Sequence, residues 1–180
     1  MVNPIRQGIR QEKPFRTREA EAFVSLLFTT DRVRDVALEP LRTYGLSGEQ
    51  YNVLRILRGA GPDGLRTSQV VGRMVSRAPN VTRLVDKLDR KGLLERRRSS
   101  RDRRVITLRI RPEGLRVLEE LDAPMDRSIA KAIHGLTQEE IGSLVVLLGK
   151  LCGPIGPAPG GSGSRLRRRL PNNEMERSPR

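Results

Sequence analysis

Apolar residues recur at intervals of three and four through most of the chain, and this spacing predicts helices. From Thr17 to about Leu41, Ala22, Phe23, Leu26, Leu27, Val33, Val36 and Ala37 mark one face of an amphipathic helix expected to end near Pro40. Ser47 and Gln50 form a capping box behind Leu46, and Tyr51, Leu54, Ile56 and Leu57 supply the stripe of a short, buried second helix that stops at GAGPDG. Thr67 or Ser68 is placed to cap a third helix carrying Val70, Val71, Met74 and Val75. In APNVTRLVDKLDRKG, Pro79 suits a first helical turn and Lys91 with Gly92 a C-terminal stop. Here Val81, Leu84, Val85 and Leu88 form a narrow apolar face. Arg83, Asp86 and Arg90 fall opposite it, with Asn80 and Thr82 on the flanks.

After Gly92 the period drops from near 3.6 to 2. LLERRR and RRVITLRI read as two strands, with SSRD in the reversal between them, which predicts a two-stranded ribbon. Helical spacing returns from Arg111 to Leu136, and a second capping box, Thr137 with Glu140, opens a last helix carrying Ile141, Leu144, Val145 and Leu148. Residues 1–15 are polar, basic and broken by Pro4 and Pro14, as expected of a flexible arm. From Gly153 the Pro, Gly and Ser linker and the RLRRRL segment predict a disordered basic tail over 153–180.

Composition narrows the function. The 180 residues include no Trp, three Phe and two Tyr, so one aliphatic core is expected and stacking on single-stranded bases is not the main mode of action. A formal charge of +14 points to a polyanionic partner, nucleic acid first. No apolar run reaches the roughly 18 residues that a membrane span needs, and no secretory leader is legible, so a cytoplasmic protein without a membrane partner is expected. A single cysteine, Cys152, and a single histidine, His134, leave no internal disulfide and too few soft ligands for a metal site. No nucleophile, base and orienting group stand at a spacing that supports catalysis, so no catalytic residue, enzyme activity or cofactor is assigned.

Two short helices, a third with a free polar face and then a basic hairpin is the order of a winged helix-turn-helix, in which a helix enters the major groove and the hairpin reaches phosphates and the adjacent minor groove. The segment VTRLVDKLDRKGLLERRRSSRDRRVITLRIRPEG resembles the MarR family of transcriptional regulators. Thr82, Arg83, Leu84, Val85, Asp86, Leu88, Gly92, Leu93, Arg96, Asp102, Arg104 and Gly114 match its pattern, and LSGEQYNVLRIL continues the resemblance upstream. The chain departs at Arg111, where the family usually has threonine as a helix cap. The resemblance covers about residues 17–151 and implies a mainly α (α+β) domain over 16–152, with a winged helix-turn-helix at about 42–111 and long dimerisation helices at about 16–41 and 112–152.

The resemblance also implies a homodimer on double-stranded DNA, reading a near-palindromic operator, usually as a repressor. Arg77, Asn80, Thr82, Arg83 and Lys87 are the candidate contacts of the recognition helix, Arg83 by a bidentate contact to guanine. At the wing, Arg104 corresponds to the family's minor-groove arginine and Asp102 to the acid that holds the turn, with Arg101 and Arg103 on phosphates. Asp86 is expected to pair with an arginine. Family members commonly bind small aromatic or other anionic effectors, and Arg34, Arg42 or Tyr51 are the corresponding polar contacts here. The competing function is a low-specificity architectural DNA-binding protein, which the same charge would serve.

Overall fold

The computed structural model describes residues 4–75, 80–98 and 106–155. In order these form α1 (Pro4–Gly8), α2 (Arg18–Ala37), a 3-10 helix (Glu39–Tyr44), α3 (Gly48–Ala60), β1 (Leu65–Arg66), α4 (Thr67–Arg73), α5 (Val81–Arg90), β2 (Leu94–Arg98), β3 (Ile106–Ile110), α6 (Pro112–Ala132) and α7 (Gln138–Ile155). The fold is mainly α with one small antiparallel sheet, the expected class.

Thr17 starts α2 by accepting the Ala20 N–H at 3.1 Å. The helix ends at Ala37, earlier than expected, because Pro40 sits in the first turn of the 3-10 helix and opens that element, turning Leu41 into the core. The Ser47 and Gln50 box forms in both directions, at 2.9 and 3.2 Å. In α3, Val53 is fully buried and Ile56 only half-buried, so the buried stripe is Tyr51, Val53, Leu54 and Leu57. Neither Thr67 nor Ser68 caps α4. The helix begins at Thr67 itself, so both hydroxyls lie inside the first turn and Arg66 is the N-cap, its N–H accepted by the Gln69 side chain at 2.9 Å.

Asn80 caps α5 by accepting the Arg83 N–H at 3.2 Å, and Gly92 ends the helix with φ of +72°, a conformation glycine adopts without strain. Pro79 lies outside the described residues. The ribbon is a three-stranded sheet of order β1-β3-β2: β2 pairs antiparallel with β3 from Leu94↔Ile110 to Arg98↔Ile106, and β1 joins on the other edge of β3 at Leu65↔Leu108. Arg111 makes no side-chain cap, yet α6 begins beside it because Pro112 presets the first helical turn. Gly114 lets that turn approach the wing root, since a Cβ there would meet the Leu93 carbonyl at 2.3 Å.

Leu41, Val53, Leu54, Leu57, Val70, Leu88, Leu94, Leu108, Leu118 and Leu121 make the centre of the core, joining the lobe of α3 to β3 to the flank of α6. Two contacts tie the lobe to α6: Arg58 donates twice to Asp122, at 2.8 and 2.9 Å, and the Tyr44 hydroxyl donates to Glu120 at 2.8 Å. By contrast, α2 has no buried residue and α7 exposes Val145 and Leu147 at 64 and 61%. At the N-terminus, where a flexible arm was expected, Pro4–Gly8 forms a helical turn, and Arg6 pairs with Glu21 of α2 at 3.2 Å. At the other end, α7 runs to Ile155, past the expected linker start at Gly153. Residues 156–180 of the expected tail lie outside the described residues.

Candidate nucleic-acid interface

The periodicity of α5 separates two faces cleanly. Val81, Val85 and Leu88 are buried, whereas Asn80, Thr82, Arg83, Lys87 and Arg90 are exposed. The Arg83 and Lys87 side chains form no ion pair or hydrogen bond among the described residues, so their charges are available to a ligand. Asn80 is more constrained, because its side-chain oxygen is occupied by the cap and only its amide N–H groups remain to donate.

Arg96 holds this helix against the wing. From β2 it donates to the Asp86 carboxylate in a short contact and to the Thr82 carbonyl at 3.4 Å, with Asp89 at 3.9 Å from its Nε. Asp86 thus pairs with an arginine, as expected. A charge-assisted, part-buried bond of this kind fixes the angle between a helix and a strand. Arg96 therefore positions the recognition helix, while its neighbour Arg97 is exposed and pairs with Glu95 at 2.6 Å. The spacing of Asp86 and Arg96 across a helix stop was the available signal for this clamp. At the far end of α5, Lys91 donates to the carbonyls of Tyr44 and Gly45, at 3.2 and 2.7 Å, anchoring the helix to the 3-10 segment. Behind the helix a cavity of 480 Å³ opens between α4, α5 and the sheet, with Thr82 and Arg96 in its wall.

The remaining expected contacts, Arg77, Arg101, Asp102, Arg103 and Arg104, lie outside the described residues. The expected effector residues differ in exposure. Arg34 is exposed and pairs with Asp31 at 3.0 Å, Arg42 is exposed, and Tyr51 is buried, its hydroxyl accepting from Arg55 at 3.1 Å. Tyr51 belongs to the core stripe of α3. His134 Nδ1 lies 2.7 Å from the Lys131 carbonyl at the end of α6, and Cys152 is an exposed free thiol. Among the described residues no cluster of histidine, cysteine or acidic residues has the geometry of a metal site, and no helix is long and apolar enough to cross a membrane.

A family model described as MarR family matches residues 44–105, the span from the end of the 3-10 helix to just before β3. The chain is 31% identical over 118 residues to the HTH-type transcriptional repressor MdtR of Bacillus subtilis, covering 66% of this chain and 75% of that protein. The chain belongs to the MarR family of transcriptional regulators. Among solved structures, a MarR transcription factor from Planctomyces limnophilus is 34% identical, with a TM-score of 0.60, and covers 76% of this chain and 99% of that one. The PcaV transcriptional regulator of Streptomyces coelicolor, solved in complex with its natural ligand, is 26% identical, with a TM-score of 0.61, and covers 72% of this chain and 92% of that one. As a MarR regulator the protein is a DNA-binding winged-helix factor and not an enzyme.

Proposed function

We propose that this MarR protein is a homodimeric repressor of a near-palindromic operator, released by a small organic effector. The exposed face of α5 carries the reading, because it presents Arg83 and Lys87 without partners among the described residues, on a helix whose angle Arg96 sets. Dimerisation is supported by the uncovered apolar faces of α2 and α7, where Phe23, Leu27, Val145 and Leu147 are more than half exposed. A two-fold pair of lobes places its recognition helices about one helical turn, roughly 34 to 36 Å, apart on the duplex. Repression follows the behaviour of MdtR, and effector release follows the ligand complex of PcaV. A cytoplasmic location fits a protein whose partner is chromosomal DNA.

At the wing, Asp102 among six arginines in residues 96–105 is read as the acid that orders the turn and aims Arg104. Asp102→Ala, although it makes the protein more basic, weakens specific binding in this reading. Residues 156–180, with RLRRRL, raise general DNA affinity without changing the chosen sequence.

The charge of +14 keeps a second reading in play, a low-specificity architectural protein. Selection from a random DNA pool separates the two. A symmetric site preferred over bulk DNA by roughly 10³ or more identifies the regulator, and the absence of an enriched site identifies the coating protein.

A further inference from the structure

A cavity of 430 Å³ lies on the opposite side of the sheet's root from the α5 interface, between the end of α3, the base of β2 and β3, and the first turn of α6. Its size falls in the range of small-molecule sites, about 300 to 1,000 Å³. Pro62, Ile110, Pro112 and Leu115 give it aliphatic walls, and its charged groups are Arg58, Glu95 and Arg109. Two of the three are engaged elsewhere. Arg58 is held by both oxygens of Asp122, and Glu95 accepts from Arg97 at 2.6 Å.

Arg109 is different. It stands directly across the ribbon from Glu95, but the two form no ion pair, and the Arg109 side chain has no hydrogen-bond or ion-pair partner among the described residues. A guanidinium without a partner in the wall of a cavity is free to bind an acceptor there through its terminal N–H groups. The same wall carries the start of α6, which has no side-chain cap, and the acid of that turn, Glu113, is paired with Arg116. The local field therefore favours an anion, and the walls favour an aliphatic body without an aromatic ring to stack on.

We propose that this cavity binds a small aliphatic carboxylate, with its chain against Pro62, Ile110, Pro112 and Leu115 and its carboxylate on Arg109. The ligand bridges the root of the wing and the first turn of α6, the helix whose Glu120 and Asp122 hold the lobe. Occupancy stiffens that joint and changes the separation of the two recognition helices. The regulatory consequence rests on the reading of the protein as a DNA-binding dimer, whereas binding itself does not.

Calorimetric titration of the full chain with octanoate and with neutral octanamide tests the site. Octanoate is expected to bind at least about tenfold more tightly than octanamide, as a charge-assisted contact requires. Arg109→Gln removes that preference, Arg109→Lys restores part of it, and Leu115→Trp blocks both ligands. Absence of octanoate binding at millimolar concentration, or equal binding by Arg109→Gln, overturns the proposal. The same proteins are then titrated with the selected operator. Octanoate binding that leaves operator affinity unchanged overturns the regulatory half alone. A protein that binds octanoate as described but selects no DNA site upholds the cavity and removes the regulator reading.

Discussion

The winged lobe and the arms carry the same kind of amphipathic pattern and meet opposite fates. In α5, ten residues suffice to bury Val81, Val85 and Leu88 against the lobe's own core. In α7, eighteen residues with a richer apolar content leave Leu144, Val145, Leu147 and Leu151 exposed, and α2 packs on α6 while burying no residue fully. An apolar stripe marks a face to be covered but does not say whether the cover comes from the same chain. The lobe buries its own apolar face, whereas the arms leave theirs exposed, and at about 25 cal/mol per Å² of apolar surface covering that area is what would stabilise the proposed dimer.

The sharpest way to break this contrast is to place a charge on each surface in turn. Val145→Asp is expected to abolish the dimer and operator binding together while the lobe stays folded, with sedimentation velocity and far-UV circular dichroism as the two readouts. A Val145→Asp protein that remains dimeric would remove the arms from the interface. In the lobe, Leu54→Ala cuts a fully buried side chain and should cost about 2 to 5 kcal/mol in denaturant unfolding, without shifting the oligomeric state at concentrations where the protein is native. A comparable loss from Leu147→Ala, which is 61% exposed in one chain, would mean that the arm is already covered in the folded protein in solution.

Arg83→Ala sharpens the functional side of the comparison. It should cost about 1 to 3 kcal/mol of specific binding and relax selection at one base position per half-site, with stability unchanged because the Arg83 side chain has no partner among the described residues. Fluorescence anisotropy against the selected site and against bulk DNA distinguishes this from a general loss of charge.

The smallest expected effect is at the joint between lobe and α6. The double hydrogen bond from Arg58 holds the Asp122 carboxyl below its ordinary value, and the hydrogen bond to Glu120 holds the Tyr44 phenol above its own. A depressed carboxylate contributes stability that is complete above the unfolded-state value, near 3.9 for an aspartate, and that disappears as pH falls through the lower folded-state value. The pair is partly exposed and screened, so Asp122→Asn should remove under about 1 kcal/mol at neutral pH and flatten only the acid limb of the stability curve. An Asp122→Asn protein whose acid limb matches the parent would show that the ion pair adds nothing in solution.

How much was legible follows from the distance over which each feature is decided. The capping boxes at Ser47 and Thr137 and the stop at Gly92 involve hydrogen bonds or dihedrals within a few residues, and each forms where the sequence places it. The start of α4 is also local, but it falls one residue earlier than a Thr67 or Ser68 cap requires, with Arg66 at the N-cap and Gln69 accepting its N–H. Other features were out of reach. β1 is two residues long and exists only through its pairing with β3, more than forty positions away. Arg34, Arg42 and Tyr51 match a family pattern by position, yet the packing of α3 directs Tyr51 into the core and leaves the two arginines on the surface.

By itself, the sequence determined the winged helix-turn-helix order, the family, the two faces of α5 and the positive charge that calls for DNA, because periodicity and motif spacing are properties of neighbouring residues. Only the tertiary structure decided that Arg96 holds α5 rather than reaching for DNA, that the faces of α2 and α7 go uncovered within one chain, and that Arg109 stands across from Glu95 without pairing to it. The physical reason is the same in each case: a side chain's partner is set by strand register and helix packing between segments far apart in the chain, and no local pattern carries that information.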